Sequence, residues 1–386
     1  MNRPLSMKER WAIDRKSGAT FVISSPQCEI CLNLIKEDAL KCIEYTDIKP
    51  NDVLTCEKEC PKFKSKDPLK INLTTENFSL LIGGIFGFCI GDALGVPVEF
   101  EPRSKRKVDK VKEMRAYGTY HQYFGTWSDD TSLTLCLIDS LKNGYNLNDI
   151  GDKFVKFYIE NLWTPFGKVF DIGNTTAISI NQIAMGENPL NCGGSKESDN
   201  GNGSLMRVLP LAFYLKKEDV LNKIKIIEEV SSITHSHKRS KLACIIYVEL
   251  AINLLKFKDK KKAYENTVDF IIEHCKNNYE EEFINFERVL NKKIYLLEEE
   301  EISSSGYVVD SLEASIWCFL KSDSYEESIF SAINLGEDTD TIAAIAGGLS
   351  GIFYRFASIP NNWVQTLARK KDIYELLLEF NNAVCE

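Results

Sequence analysis

Apolar residues recur along much of this chain at helical spacing. Leu242, Ile246, Leu250 and Leu254 repeat every fourth position, and Val220, Ile224, Ile227 and Val230 form a similar stripe. Each segment therefore presents one apolar face to a core. Convincing alternation of period two, the mark of a half-buried strand, is hard to find. From Glu76 onward the pattern predicts an all-α architecture. One segment, IAAIAGGLSGIFY from Ile342, is apolar or small on nearly every face. That is expected of a helix at the centre of a bundle, where Ala and Gly let neighbours approach closely. Loops rich in Gly, Asn and Ser, such as NCGGSKESDNGNGS from Asn191, are too polar to pack without a task and read as ligand-facing.

Composition narrows the setting. The chain has 386 residues, 44% hydrophobic and 27% charged, which is ordinary for a globular protein and allows a sizeable core. A net charge of -9 argues against nucleic acid as a partner but leaves room for an anionic small molecule in a local pocket. The opening MNRPLSMKERWAIDRKSGAT has no apolar stretch of the kind a secretory signal needs. The apolar run LLIGGIFGFCIG from Leu80 stops at Asp92, short of the roughly 18 residues that span a bilayer. A soluble, cytoplasmic protein without membrane partners is the expectation, its twelve cysteines mostly reduced.

Five cysteines fall between Cys28 and Cys60, just before the lysine-rich CPKFKSKDPLK, which reads as an exposed linker. A boundary near residue 70 follows, with an accessory module over 1–70 and a main domain over 71–386. Within the module, Cys28 and Cys31 form a C-x2-C and Cys56 and Cys60 a C-x3-C, with Cys42 between them. Two thiolates from one knuckle can share a tetrahedral Zn²⁺, and a small module would gain much from a metal. The plainer alternative is that these are small buried hydrophobes. Cys89, Cys136, Cys244 and Cys318 sit in apolar helical surroundings and read as core rather than as nucleophiles.

The candidate chemistry lies at two helix starts. GEDTDTIAAIAGG places Asp338, Asp340 and Thr341 at the mouth of the buried helix, and GTWSDDTSLTLCLIDSL places Ser128, Asp129 and Asp130 at another. One acid per helix start is explained by capping and by the helix dipole. Two are not. If the starts converge, four carboxylates crowd together and call for a counter-charge. The donors are all hard oxygen, so the matching ions are Mg²⁺, Mn²⁺ or Ca²⁺ rather than Zn²⁺.

From about residue 78 to the C-terminus the chain resembles the ADP-ribosylglycohydrolase family. The resemblance rests on GGIFGFCIGDALGVPVEF, GTWSDDTSLTLCLIDSL, FDIGNTT, GNGSLMRVLPLA, ITHSH and GEDTDTIAAIAGG, six motifs in order. It implies a compact multi-helix bundle and a centre of two Mg²⁺ or Mn²⁺ held by Ser128, Asp129, Asp130, Asp338, Asp340 and Thr341. It also implies hydrolysis of the glycosidic bond linking ADP-ribose to a modified protein or a small conjugate. Ser128 stands where many relatives have Thr, and Glu337 occupies a position often held by Gly or Asn. Glu99 and Asp171 are the implied candidates for proton transfer. Gly173, Asn174, Thr175, Gly201, Asn202, Gly203 and Ser204 would hold the diphosphate, with His235 near the ligand. Trp127 and Tyr307 could stack on adenine, although aromatic residues are more often core.

Two other classes of function compete with the enzyme. A catalytically silent relative would have lost its metal acids, whereas both acidic motifs and Glu99 are intact here. A binding role would let the Cys-containing module dock on a partner protein or neutralise an ADP-ribosylating toxin sterically, with or without hydrolysis.

Overall fold

The computed structural model describes residues 67–385 and, before them, Cys31, Asn33, 42–45, Lys49, Pro50, Val53, Cys60 and 62–65. Among these residues there is no strand, only isolated bridges, and eleven helices have ten residues or more. In chain order they are α1 (Glu76–Gly95), α2 (Asp129–Leu141), α3 (Leu147–Glu160), α4 (Asn174–Ala184), α5 (Val220–Ser232), α6 (Lys238–Lys256), α7 (Lys260–His274), α8 (Val308–Lys321), α9 (Tyr325–Asn334), α10 (Thr339–Tyr354) and α11 (Lys370–Cys385). The all-α expectation holds. The stripe at Leu242, Ile246, Leu250 and Leu254 is buried along α6. Cys89, Cys136, Cys244 and Cys318 are buried free thiols, and desolvation pushes each of them up, Cys318 to about 12.

The molecule is organised around α1 and α10. These two helices carry small residues on their facing sides, and their backbones touch there. A methyl group added at Gly91 would stand 2.1 Å from the carbonyl oxygen of Ala343, and one at Gly87 would stand 2.4 Å from that of Gly347. No side chain fits, so glycine is required by close approach rather than by dihedral freedom. Both helices are buried on nearly all sides, which explains why neither shows a one-sided apolar face. The helix outlasts its apolar run: α1 continues through Asp92 to Gly95. The stretch Glu76–Val98 is long and apolar enough to cross a bilayer by composition, yet 94% of its apolar window is buried inside the protein.

Residues 67–72 are held more firmly than an exposed linker. Leu69 is buried, and the Gln365 amide brackets its backbone, accepting from its N–H at 2.8 Å and donating to its carbonyl at 3.0 Å. The Asn72 N–H donates to the Tyr374 hydroxyl on α11 at 3.2 Å. Further toward the N-terminus, the Asn33 amide donates to the Lys62 carbonyl at 2.8 Å, joining the described parts of that segment.

Candidate functional site

The acids at the start of α2 do not cap it. The Ser128 hydroxyl at the N-cap accepts from the Asp130 N–H at 3.3 Å. The other donors are met by Asp92, reaching across from α1: its two oxygens accept from the Ser128 and Thr131 N–H groups at 2.9 and 3.0 Å. The end of the helix is therefore satisfied without Asp129 or Asp130. One oxygen of each of these two carboxylates is buried with no hydrogen-bond partner.

The start of α10 is fixed by a different set of contacts. The Thr339 hydroxyl donates to the Gly95 carbonyl at 2.9 Å, which ties the first turn of α10 to the last turn of α1. Gly95 packs so closely on the Asp340 backbone that an added methyl would lie 2.3 Å from its Cα. Asp338 accepts from the Asn202 amide at 2.5 Å, and Asp340 accepts from the Thr341 N–H at 2.9 Å. The α1–α10 contact thus positions Asp92, Glu99 and the second acid pair together.

The two starts line one cavity of about 340 Å³. Its wall carries Glu99, Asp129, Asp130, Asp171, Asp338 and Asp340, with the exposed Glu337 at the mouth, and no lysine or arginine lines it. Burial raises Asp129 and Asp130 well above the usual carboxylate range, and neighbouring acids raise them further. Asp340 is raised in the same way, by burial and then by Glu99 and Asp130. Glu99 goes up to about 9, through burial first and then the charges of Asp171 and Asp338. Asp171 goes up to about 6, again chiefly through burial. Each of Glu99, Asp171 and Asp340 offers an oxygen within 4.8 Å of the others. The candidate proton-transfer acids therefore stand inside the acidic cluster rather than beside it. A buried, all-oxygen cluster with unpartnered atoms and no cationic side chain fits hard divalent cations.

Tyr120 joins the site from outside the acidic motifs. Its hydroxyl is in hydrogen-bond contact with both Glu99 and Asp171. Burial and those two charges hold the phenol in its neutral form. It lies in an irregular segment between helices, where no periodicity draws attention to it.

The remaining wall is built from the glycine loops. Gly173 is the N-cap of α4 and contributes no side-chain cap, so the first N–H groups of that helix, at Asn174 and Thr175, lie along the cavity. Gly201, Asn202, Gly203 and His235 also line it. A methyl at Gly203 would meet His235 Cε1 at 2.7 Å and Thr176 Oγ1 at 2.8 Å, so the loop, the ring and α4 are packed against one another. The His235 ring pairs with the Thr234 hydroxyl at 2.8 Å; burial, then Arg207, depresses it to about 3, which keeps the imidazole neutral. Buried Arg207 donates to the Gly203 carbonyl and, at 3.2 Å, to that of Val230, anchoring the loop from beneath. Thr176, absent from the expected set, lines the cavity with a buried, unpartnered hydroxyl.

Several expected residues sit differently. The Asn202 amide is engaged by Asp338 and, at 2.9 Å, by the Ser311 hydroxyl, so it orients an acid. Ser128 and Ser204 are not among the lining residues; the Ser204 hydroxyl accepts from Ser231 at 3.0 Å. Trp127 is buried core and donates to the Trp163 carbonyl at 3.3 Å. Tyr307 bridges to Gly201 and lies beneath the Arg239 guanidinium, 5.8 Å from its ring centroid. Of the candidate zinc ligands, Cys28 and Cys56 lie outside the described residues, whereas Cys31 and Cys60 are buried. Cys31 Sγ accepts from the Asn33 and Lys64 N–H groups at 3.4 and 3.3 Å.

Comparison with known proteins identifies the family. The family model for ADP-ribosylglycohydrolase matches residues 74–385. The ADP-ribosylarginine hydrolase Tri1 of Serratia proteamaculans is 29% identical over 338 residues, covering 86% of this chain and 88% of that protein. That share exceeds the family match, so the likeness extends into the segment before residue 74. The ADP-ribosyl-[dinitrogen reductase] glycohydrolase of Rhodospirillum rubrum is 27% identical over 293 residues, covering 75% and 90%. Among solved structures, an ADP-ribosylglycohydrolase-related protein complex superposes with a TM-score of 0.68 at 26% identity, covering 80% of this chain and 99% of that one. With most of its length matched and its acids gathered in one cavity, this chain belongs to the ADP-ribosylglycohydrolase family.

Proposed function

We propose that this hydrolase cleaves the N-glycosidic bond between ADP-ribose and an arginine side chain of a modified protein, using two Mg²⁺ or Mn²⁺ ions. The observation that carries the reading is the shared cavity: two acidic helix starts face it, Asp129, Asp130 and Glu99 each keep an unpartnered carboxylate oxygen, and no lysine or arginine lines it. Asp129, Asp130, Asp338, Asp340 and Thr341 would hold the ions, with the Ser128 hydroxyl at the edge of that set. When bound, such ions supply Lewis acidity toward the ribose hydroxyls and an activated water. Arginine is favoured as the acceptor because a relative aligned over most of the chain is named for it.

The protein's own groups account for the rest. Cleavage passes through an oxocarbenium-like state, so a proton must reach the departing nitrogen while water loses one at the anomeric carbon. Two carboxyls whose surroundings separate their proton affinities can divide these tasks. In the metal-free chain Glu99 holds its proton the more tightly, up to about 9 against about 6 for Asp171, so Glu99 is assigned the donor and Asp171 the acceptor. Tyr120 bridges the pair and holds their orientation. The open N–H groups of Asn174 and Thr175 suit the diphosphate, aided by the α4 dipole. Gly201 admits the ligand close to the backbone, and neutral His235, seated against Gly203, offers a hydrogen bond rather than a charge.

The reading of residues 1–70 as an accessory module that docks on a partner protein, and of the whole chain as cytoplasmic, belongs to this proposal. So does Zn²⁺ at Cys28, Cys31, Cys56 and Cys60. Two backbone N–H groups aimed at Cys31 Sγ are the kind of contact a zinc knuckle makes to its sulfur and support that reading. Elemental analysis of purified protein would remove the zinc if none is found. For the activity, the test is a panel of conjugates carrying ADP-ribose on arginine, serine, a nucleobase or a small metabolite, incubated with Mg²⁺ or Mn²⁺ and followed by mass spectrometry. Release of ADP-ribose from the arginine conjugate is expected; survival of every conjugate would leave steric binding as the better reading.

A further inference from the structure

The mouth of the cavity presents two side chains that the reaction above does not use. Phe100 is 65% exposed, a large apolar ring left in water beside Glu99. Glu337 is exposed too, and both residues line the cavity. Each has φ of +61°, a left-handed backbone that costs any residue with a side chain and is uncommon for a bulky one. Gly or Asn would take this backbone at less cost than Glu. Here the strain is accepted, and a carboxylate is placed at the rim.

The strained pair is locked in place. The Phe100 N–H donates to the Glu337 carbonyl at 2.7 Å, and the Glu337 N–H donates to the Glu101 carbonyl at 2.8 Å. Arg103 fastens the same loops from behind, donating to the carbonyls of Leu335, Glu299 and Ile302 at 2.9, 2.8 and 2.6 Å. The Phe100 ring meets Tyr120 edge-on, with centroids 6.4 Å apart, and Tyr120 contacts Glu99 and Asp171. The rim pair therefore stands on the side of the cavity where the proton-transfer acids are. A leaving acceptor would pass there. Strain that persists in a rigid rim marks a place where side-chain display has a use.

We infer that Phe100 and Glu337 select the acceptor, the ring face and the carboxylate together recognising a planar guanidinium cation. The inference rests on the arginine reading above and names the residues that enforce it. A guanidinium stacks on an aromatic face and donates its fork of N–H groups to a carboxylate. A neutral hydroxyl acceptor would gain from neither contact. ADP-ribose alone, which shares the ribose and diphosphate but lacks the acceptor, should be indifferent to both residues.

The experiment uses the full-length chain with Mg²⁺ and compares wild type with Phe100→Ala, Glu337→Gln and Glu337→Gly. Steady-state kinetics are measured on an ADP-ribosylarginine peptide, with inhibition constants for ADP-ribose and a melting curve for each variant. Each substitution is expected to lower kcat/KM about tenfold, mainly through KM, the size of one cation–π or charge-assisted contact. The ADP-ribose inhibition constant should stay within about twofold, since these contacts involve the acceptor alone. Glu337→Gly should also melt higher than wild type, because glycine relieves the strained φ, so lost stability cannot explain its lost turnover. Unchanged KM, or an equal loss of ADP-ribose affinity, would overturn the selector role while leaving arginine hydrolysis standing. A wild-type chain that cleaves only conjugates with neutral acceptors would overturn both.

Discussion

At the start of α2 the capping bonds come from Ser128 and from Asp92 on a different helix, so Asp129 and Asp130 are left with oxygens that nothing in the chain satisfies. At the start of α10 the acids are partly spoken for: Asp338 accepts from Asn202, and Asp340 accepts from the N–H of its neighbour. One start is held by an acid borrowed from α1, the other by a hydroxyl and an amide. Both deliver carboxylates to the same cavity. The difference teaches that an acid at a helix N-terminus is explained by capping only when its oxygens are used there; the informative atoms are the ones left over.

The largest expected effect comes from removing an acid at either start. Asp129→Ala and Asp338→Ala should each lower hydrolysis about a thousandfold or more, since the loss of an ion removes several kcal/mol of transition-state stabilisation. In EDTA Asp129→Ala should melt no lower than wild type, because it removes a carboxyl with an unpartnered oxygen from a crowded cluster, whereas Asp338→Ala, which also strips Asn202 of an acceptor, should melt slightly lower. Parallel kinetics and melting curves check both. Unequal losses would show that one start dominates.

Next come the proton-transfer candidates. Glu99→Gln and Asp171→Asn should each reduce kcat by about a hundredfold, within the usual range for general acid and base catalysis. If Glu99 is the acid, a substrate with a better leaving group should recover more activity in Glu99→Gln than in Asp171→Asn.

Asp92→Asn isolates the borrowed cap. It keeps the shape but weakens two hydrogen bonds to N–H groups and should cost about 1–3 kcal/mol of stability by urea unfolding. The loss should fall on the α2 start, and hydrogen exchange at Ser128 and Thr131 reports it directly.

The smallest effect is the pH dependence. The raised carboxylates bind protons more tightly in the folded chain than in the unfolded one. Without metal, their contribution favours the fold below the ordinary carboxylate range and is lost as pH rises through about 6 for Asp171 and about 9 for Glu99. Divalent cations replace those protons. The rise in melting temperature on adding Mn²⁺ should therefore be larger at pH 8 than at pH 6.

Much of the fold was legible in the chain. Stripes such as that of α6 are local, and the all-round small and apolar character of α10 marks a central helix. The acids were legible as paired motifs, because one acid too many at a helix start needs no structure to notice. The capping role of Asp92 is hidden, since a lone acid in an apolar run gives no hint that its partners lie on another helix. Tyr120 belongs to an irregular segment, and Thr176 looks like any helical threonine. Asn202 lines the cavity as its loop suggests, but that its amide also holds Asp338 is set by a contact 136 residues away in sequence. The adjacency of Phe100 and Glu337 depends on two left-handed dihedrals and a pair of backbone hydrogen bonds between distant loops. Sequence spacing carries none of that.

The most direct measurement is a calorimetric titration of the full-length chain with Mn²⁺, repeated on Asp129→Ala and Asp338→Ala. A site shared by the two helix starts predicts two ions per wild-type chain and loss of binding in both variants. Absence of binding in wild type, or titrations unchanged by either substitution, would contradict it.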